Sequence, residues 1–466
     1  MTDQSTITYP GSYRFKRVTL FPANNSENRV AVEIRNEIVT IVLTESMASD
    51  SIRGYARVVE RSGLLEGYPI RGEEMLFIEF EDAMGVTRDY IVFVYKIDDI
   101  VITNSNDGVN YTMHFVSHQR FVADQRRITS SYNKLASEIV QDIFNNYMRV
   151  ATSARPISTS VTGDDGTNKQ IEIEETEGVL KTIIPRMTPV QAMKFLESRS
   201  YSTLSSTCSF RFFESADSFY FATDEYMYKK ALSNGKVFKM TCAPNIPQTN
   251  EYITQRMANL NDIKNVSRVD TFDDIHGGSY RNKVLVLDIV NRVTNIAEPG
   301  YVYQDSRSSY FRGQESTMDV ADKHSDQFIT STFTEENERR FVMVKDYVEE
   351  DTGQLRGEQF LPQITSNRLA YFKQLNGIKI QASGPGRCDI TCGDFIELVV
   401  PEFMHARSDT QLNTQLSGVY MVETVSRDLT NDVYTNNYIM VKRNWARAID
   451  PTDNKFLLGV VGGNTQ

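Results

Sequence analysis

The first part of the chain alternates apolar and polar residues with a period of two. This pattern is typical of β-strands that bury one face. Turn-forming clusters such as Asn106-Asp107-Gly108 separate the alternating segments. Several short strands with turns between them predict one compact antiparallel β domain over residues 13–120. The clearest alternating segments are Val30–Ile34, Phe77–Phe80, Tyr90–Ile97 and Tyr111–Phe115.

The apolar spacing changes to that of helices after this domain. From Ser131 apolar residues recur at helical intervals as far as Met148, and a serine in front of them suits a helix cap. A second helix is predicted to begin at Thr188, because Thr188 and Gln191 can form a capping box and Pro189 suits the first helical position.

An aromatic hairpin is predicted to follow the second helix. Phe210–Phe213 and Phe219–Phe221 flank a short polar turn, which is the signature of two antiparallel strands. Helices and hairpin together predict an α+β domain over residues 121–245.

The last part of the chain returns to strand patterns. The polar segment Asp428–Asp432 is expected to be the turn of a final hairpin. A short helical pattern, Ser366–Leu375, precedes these strands. The predicted strands are Ile378–Ala382, Phe395–Pro401, Gly418–Val425 and Tyr438–Lys442.

These patterns divide the second half of the chain into three parts. Residues 246–290 and 370–447 are predicted to form a second β domain. The polar residues 291–369 are predicted to form an insertion, next to a strand at Val284–Asn291. Residues 448–466 are predicted to form a C-terminal tail. The two β domains cannot be aligned with each other by their patterns alone.

Composition and charge exclude several classes of protein. With 466 residues the chain is long enough for roughly three domains. The formal net charge is −11, and no Lys/Arg run exceeds a pair such as Arg126-Arg127. Stable DNA binding is not expected, because duplex binders carry a basic face. The sequence has no apolar stretch of about 20 residues and no apolar signal segment, so we expect no membrane anchor and folding in a cytoplasm.

The four cysteines do not indicate a metal site. Four in a chain of this length are too few for a disulfide framework. Cys388 and Cys392 lack the second pair that a tetrahedral zinc site needs. Buried structural thiols are the main expectation for Cys208, Cys242, Cys388 and Cys392, and a metal or redox role is the lesser alternative.

No motif points to catalysis. The chain contains no G-x-S-x-G, H-E-x-x-H or G-x-x-x-x-G-K-[ST] sequence. His114 and His118 are spaced for a metal on a helix, but they end a strand pattern. Asp164–Gly166 and Asp270–Gly278 are expected to be solvated loops, and Phe403–His405 a strand end or interface patch. We therefore predict no catalytic, cofactor-binding or metal-binding residues, and a protein that is not an enzyme.

Two blocks of the sequence resemble the hub proteins of contractile tails. The first runs from Ile183 through the following helix to Phe221, and looks like the middle domain of these hubs. The second, 376–442, resembles their second tube-like barrel, with a small residue, Asp and an apolar strand at Gly393-Asp394-Phe395. The family includes the myovirus baseplate hub and the hub half of type VI secretion spike proteins. The chain departs from it most at residues 291–365 and in the C-terminal tail.

The resemblance implies a fold and a mechanical function. The fold would be α+β and mainly β, with two tube-like antiparallel β-barrel domains, an α+β domain between them and a further insertion. A homotrimer would then adapt the sixfold tail tube to the threefold central spike and line the DNA channel. The implied partners are the central spike protein, a tail tube or tube-initiator protein, baseplate wedge proteins and, transiently, DNA. The protein would be made in the host cytoplasm and reside in the virion baseplate.

Two other classes stay open at this point. One is a different structural part of the tail, of the wedge or tube-terminator type. The other is a peptidoglycan hydrolase associated with the spike, for which the sequence offers no specific motif.

Overall fold

Strands dominate the fold. In the computed structural model of the protein, strands account for 52% and helices for 22% of the residues that the structure describes. The α+β, mainly β class predicted from the sequence is thereby confirmed. The structure describes residues 9–22, 31–67, 70–102, 108–148, 169–204, 208–242, 252–267, 281–289, 291–302, 315–316, 339–345, 356–375, 378–401, 413, 416–430, 433–442 and 444–445.

The chain opens with an antiparallel β region, called the first β region below. Apolar residues at alternate positions, such as Ile41 and Leu43, form its core, while their neighbours face outwards. Its elements are β1 (Arg14–Phe21), β2 (Val32–Glu33), β3 (Ile38–Ser46), β4 (Arg53–Glu60), α1 (Leu64–Gly67), β5 (Met75–Glu81), β6 (Thr87–Ile102) and β7 (Val109–Ser117).

A glycine allows close packing in the centre of this region. A Cβ atom on Gly54 would lie 2.1 Å from the carbonyl oxygen of Val42 and 2.5 Å from the ring of Phe115. Any side chain at this position would displace the neighbouring strand or the ring, so the packing requires glycine.

The middle of the chain forms an α+β region around a second apolar core. The predicted helix at Thr188 is confirmed with its capping box: the Thr188 hydroxyl accepts from the Gln191 N–H at 3.2 Å, and the Gln191 side chain accepts from the Thr188 N–H at 3.0 Å. The predicted aromatic hairpin is also confirmed. The elements are α2 (His118–Asp124), β8 (Ile128–Leu135), α3 (Ala136–Ile143), β9 (Ile171–Ile173), β10 (Val179–Met187), α4 (Pro189–Glu197), β11 (Arg211–Glu214), β12 (Phe219–Ala222) and α5 (Asp224–Ser233).

One helix of this region begins later than the sequence predicted. The expected serine cap near Ser131 is wrong, because Ser131 lies within β8 and α3 begins at Ala136 without a side-chain cap. Strand β8 pairs with β10, which satisfies the backbone groups that a capped helix would otherwise have used. The predicted buried face of the helix is nevertheless present, since Ile139, Val140 and Ile143 are all buried.

The described residues of the rest of the chain supply a further set of strands and helices. The helical pattern predicted at Ser366–Leu375 lies in α7. No helix in the described part of the chain is long and apolar enough to cross a membrane. The elements are β13 (Val237–Thr241), α6 (Tyr252–Met257), β14 (Asp262–Ser267), β15 (Arg281–Asp288), β16 (Val293–Val302), β17 (Glu315–Ser316), β18 (Arg339–Val344), α7 (Leu361–Leu375), β19 (Ile378–Pro385), β20 (Phe395–Val399), β21 (Gly418–Thr430), β22 (Val433–Lys442) and β23 (Asn444–Trp445).

Strands β19–β22 are the four C-terminal strands that the sequence predicted. The predicted turn over Asp428–Asp432 is too long, because Asp428–Thr430 continue β21 as a strand. Their backbone pairs with β22 on one side and β3 on the other, and a local turn pattern cannot reveal such a distant partner.

The first β region and these C-terminal strands belong to one continuous thirteen-stranded sheet. Its order is β14-β19-β22-β21-β3-β4-β7-β6-β5-β1-β2, with β20 attached to β21 and β13 to β20. We call β13, β14 and β19–β22 the second β region. The antiparallel pair β3–β21, called the joint below, connects the two regions. The sequence did not predict this connection, and the domain boundaries drawn from it stay predictions.

A smaller sheet, the insertion sheet, lies apart from the large one. Strand β15 pairs antiparallel with β16 and parallel with β18, and α7 packs against β15 and β16. Strand β17 pairs with β23, which brings the end of the second β region next to the insertion. Most of the polar stretch predicted to be an exposed insertion lies outside the described residues.

Candidate functional site: the joint between the two β regions

The joint pairs two strands that are far apart in the sequence. Strand β3 pairs with β21 from Thr40–Thr430 to Ser46–Thr424. Hydroxyl side chains bridge the strands on one face, which we call the outer face; the other face is buried. The bridges join Ser46 to Thr424 at 2.8 Å, Thr44 to Ser426 at 3.2 Å and Thr40 to Thr430 at 3.3 Å.

The outer face continues across β4 and β7. The strand register places Arg53, Tyr55 and Arg57 beside the outward residues of β3. Tyr55 is 40% exposed, and its ring lies 6.2 Å from that of His114 on β7. The outer face is therefore lined by hydroxyl groups over the joint and by arginine and aromatic side chains beside it.

A buried arginine lies beneath the joint. The side chains of Arg427 on β21 and Glu45 on β3 both have 0% exposure, and they form an ion pair at 2.7 Å. The Nε of Arg427 also donates to the Tyr90 hydroxyl at 2.7 Å, and Tyr90 donates to Glu45 at 2.8 Å. These contacts connect β3, β6 and β21 below the backbone ladder.

The other donors of Arg427 bind the loop between β19 and β20. Nη1 donates to the carbonyl of Arg387 at 3.1 Å, and Nη2 to that of Ile390 at 2.8 Å. Tyr434 on β22 accepts from Nη1 at 3.3 Å and donates to the Arg387 carbonyl at 3.0 Å. Arginine fits this position because its planar fork of N–H groups can serve several acceptors at once.

The α+β region reaches the same place through the turn of its aromatic hairpin. The second oxygen of Glu45 accepts from the N–H of Ala216 at 2.9 Å. Nearby, the buried carboxylate of Glu214 accepts from the N–H of Ile52 at 3.2 Å and pairs with Lys169 at 2.7 Å. The turn is therefore bound to the first β region by charged groups as well as by packing.

A second cation completes the contacts between the three regions. Arg88 on β6 forms an ion pair with Asp217 of the hairpin turn, and its Nε donates to the carbonyl of Cys388 at 3.0 Å. All three regions therefore meet at a single group of polar side chains. We call this group the junction cluster: Glu45, Arg88, Tyr90, Arg427 and Tyr434.

The charges of the junction cluster stabilise one another. Burial by itself would raise the pKa of the Glu45 carboxyl, but Arg427 and Arg88 hold it below its ordinary value. Burial would lower the pKa of Arg427, but Glu45 shifts it well above its ordinary value. Burial raises the pKa of Tyr90 and Tyr434, so both hydroxyls keep their protons. None of these groups is poised to exchange a proton near neutral pH, so the cluster suits a structural role.

The cysteines next to the cluster are protonated thiols. Cys388 and Cys392 are buried, and burial raises the pKa of Cys388 to about 12. A thiolate is needed for metal binding and for nucleophilic attack. Cys208 is buried and Cys242 half-buried, and both are free thiols. In the part of the chain that the structure describes, no group of three or more His, Cys, Asp or Glu side chains could hold a metal ion.

The two histidines considered from the sequence have different surroundings. Nε2 of His114 lies 2.9 Å from a carboxylate oxygen of Asp98, at a partly exposed position of β7. His118 is the first residue of α2, and its ring lies 4.8 Å from that of Phe93. The three other segments considered lie outside the described residues, so their expected roles stay predictions: Asp164–Gly166, Asp270–Gly278 and Phe403–His405.

Sequence reasoning missed the junction cluster, although the pattern contained a signal for it. Arg427 occupies an inward position of β21 between Val425 and Leu429, and Glu45 follows Leu43 at an inward position of β3. A charged residue in phase with core positions needs a partner when it is buried. Opposite charges at two such positions indicate an internal ion pair, but the pattern does not say that the two strands are neighbours.

The fold and the joint together define an architecture: two β units that share a sheet, with an α+β unit bound at the junction. No protein-family model matches the sequence. No curated protein matches it either. The comparison with known proteins therefore depends on solved structures.

The fold is similar to that of a tail protein from Neisseria meningitidis MC58, with a TM-score of 0.50 and 9% identity over 93% of this chain and 98% of that one. A 43 kDa tail protein of prophage MuSo2 from Shewanella oneidensis gives a TM-score of 0.46 and 8% identity over 92% and 99% of the two chains. An Escherichia coli component of the type VI secretion system gives a TM-score of 0.44 and 8% identity over 94% of this chain and 79% of that one. The tail-protein resemblance predicted from the sequence is confirmed for the fold.

Proposed function

We propose that this chain is the hub of a contractile-tail baseplate, a structural subunit that joins the sixfold tail tube to the threefold central spike. The observation that carries the proposal is the joint, because it fixes two β regions in one sheet within one chain. Three chains in a closed ring would present six β regions to the tube and a threefold face to the spike.

The junction cluster suits a part that transmits force. If the two β regions could hinge about the joint, the ring would deform when the tail contracts. Backbone pairing between β3 and β21 resists sliding, and the bond from the Nη2 of Arg427 to the Ile390 carbonyl holds the β19–β20 loop to β21. The bond that the Ala216 N–H donates to Glu45 resists separation of the sheet from the α+β region. The cluster would therefore keep the two β regions at a fixed angle.

The outer face of the joint suits the wall of a DNA channel. Its hydroxyl side chains are small and already hydrogen-bonded to each other across the joint. Arg53 and Arg57 lie in one strand, and Lys96, two strands away in the register, forms an ion pair with Asp98, so phosphate groups would meet few unpaired cations at once. Acidic side chains that would repel DNA from the channel wall, in keeping with the net charge of −11, would have to come from other parts of the ring.

The partners follow from this position in the tail. They are two further copies of the chain, the central spike protein below, a tail tube or tube-initiator protein above, and wedge proteins at the sides, with DNA passing through transiently. The protein would be made in the host cytoplasm and reside in the virion baseplate. In this role the chain is not an enzyme and needs no cofactor.

The mass of the purified chain in solution tests the proposal. We expect light scattering over a concentration series to give three times the 53.2 kDa of one chain, and negative-stain images to show a ring with a central opening. A mass of one chain at every concentration, or a six-copy ring, would instead indicate another tail part, such as a wedge or a tube terminator. A peptidoglycan zymogram tests the remaining alternative, the spike-associated hydrolase, and we expect no clearing.

A further inference from the structure

The insertion sheet has an apolar face that no described element covers. The parallel register of β15 and β18 places Leu285 beside Val342 and Leu287 beside Val344. Val342 is 62% and Val344 48% exposed, and the two leucines are half-buried. We call these four side chains the apolar strip.

The opposite face of the same sheet is fully packed. Val284 and Val286 on β15 are buried, and α7 lies against this strand. Met343, the neighbour of Val286 on β18, packs with Leu361 and Ile364 of α7. The helix therefore covers one face of the insertion sheet and leaves the apolar strip on the other.

The sequence of β15 is that of a strand covered on both faces. Strands with one wet face alternate apolar and polar residues, whereas Val284-Leu285-Val286-Leu287 is an unbroken apolar run. Parallel pairs such as β15–β18 are almost always buried on both sides. We therefore expect a second apolar layer on the strip.

The position of the C-terminal tail identifies an occupant within this chain. Strand β23 pairs with β17, which belongs to the insertion between β16 and β18, so the tail starts beside the insertion. Beyond β23 the polar tail contains one apolar run, Phe456–Val461, followed by Gly462-Gly463. The connector 446–455 can span roughly 35 Å when extended.

We infer that Phe456–Val461 docks on the apolar strip of its own chain. The segment is aliphatic apart from one phenylalanine and one glycine, and it carries no charge, which matches the strip that it would cover. The docking fastens the end of the chain to the insertion. It is independent of the proposed hub function, because it requires no second copy, spike or tube.

Cysteine cross-linking tests the docking directly. The full-length chain with Val342→Cys and Leu458→Cys, in a Cys242→Ser background, would be oxidised and digested, and the linked peptides identified by mass spectrometry. We expect a disulfide within one chain. The matched control replaces Val342→Cys by Ile102→Cys, a 76% exposed position on β6 of the first β region, and should give at least tenfold less product. Equal yields in the two variants, or a disulfide between two chains, would overturn the inference.

Hydrogen exchange provides a second test that needs no cross-link. Leu458→Asp changes only the tail, so the large sheet should stay folded, and Gln466→Asp adds the same charge outside the apolar run. We expect Leu458→Asp to raise exchange at residues 339–344 and 281–288, and Gln466→Asp to leave it unchanged. Equal exchange in both variants would overturn the inference, because the tail would then not cover the strip.

Discussion

Arg427 and Lys442, two buried cations of the second β region, are stabilised very differently. Arg427, at the joint, makes six hydrogen bonds to a carboxylate, two tyrosine hydroxyls and two carbonyls. Lys442, at the far end of β22, is 1% exposed. Among the described residues its amine donates to one carbonyl, that of Ser417, at 2.6 Å and lies 5.3 Å from the Tyr420 ring centre.

The two cations therefore respond differently to burial. Burial by itself would lower the pKa of Arg427, but the attraction of the Glu45 carboxylate outweighs this effect and shifts the pKa of Arg427 well above the ordinary value. Burial lowers the pKa of Lys442 to about 8, and among the described residues no carboxylate pairs with its amine. The difference shows that the joint retains its charge at every ordinary pH, whereas the far end of β22 holds a charge that it can lose.

Removing the charge at the joint should have the largest effect. Arg427→Met leaves the Glu45 carboxylate buried without its main partner, and such losses cost about 3–5 kcal/mol. We expect the free energy of unfolding in urea to fall by this amount. The double variant Glu45→Gln/Arg427→Met should recover part of the loss, because it no longer buries an unpaired charge. A single variant within about 1 kcal/mol of the wild type would contradict the role assigned to the cluster.

At the far end of β22, the free-energy cost of burying the charged Lys442 side chain should depend on pH. The folded pKa of Lys442 is about 8, below the value of about 10.4 for an unfolded lysine, so the unfolded state binds more protons between these values. The destabilisation is fully present below pH 8 and is relieved as the pH rises from 8 towards about 10. We therefore expect Lys442→Met to be more stable than the wild type at pH 7, with a difference that shrinks by pH 10.

Urea unfolding of both proteins at pH 7, 8, 9 and 10 measures this difference. The matched control is Lys379→Met, which removes a lysine from β19 of the same sheet, where the amine pairs with Glu423 at 2.5 Å. A difference for Lys442→Met that does not vary with pH would contradict the assignment.

The hydroxyl bridges on the outer face should matter least. Ser426→Ala removes one bridge, to Thr44, at a half-buried position, and a hydrogen bond of this kind contributes about 0.5–1.5 kcal/mol. We expect a loss in this range in urea unfolding and an unchanged mass in solution. A loss as large as that of Arg427→Met would mean that the hydroxyl ladder, and not the buried cluster, holds the joint together.

Local signals in the sequence predicted the local parts of this fold. The capping box at Thr188 and the aromatic hairpin that ends at Phe221 involve residues close together in the chain, and both are confirmed. The pattern was wrong at Ser131 and at Asp428–Thr430, where backbone groups pair with distant strands. Propensity and periodicity report how a residue packs, but not which strand lies beside it.

The same limit explains why the junction cluster could not be predicted. Inward charges at Glu45 and Arg427 are visible in the alternation of their strands. Their pairing depends on the neighbourhood of β3 and β21, which only the folded chain defines. The similarity to the tail-protein fold was accessible from the order of the blocks, while the shared sheet was not.

The sequence separation across the joint constrains how the protein is made. The hydroxyl bridges connect residues 378 to 390 positions apart. The edge of β3 that faces β21 therefore has no partner strand until residues 424–430 have been synthesised. At about 5–20 residues per second, this wait lasts roughly 20–80 s on the ribosome. During that time β3 exposes an unpaired strand edge, which is a template for aggregation. Closure of the joint would therefore be a late folding step, and chaperone protection of the nascent first β region is expected to raise the yield of native protein.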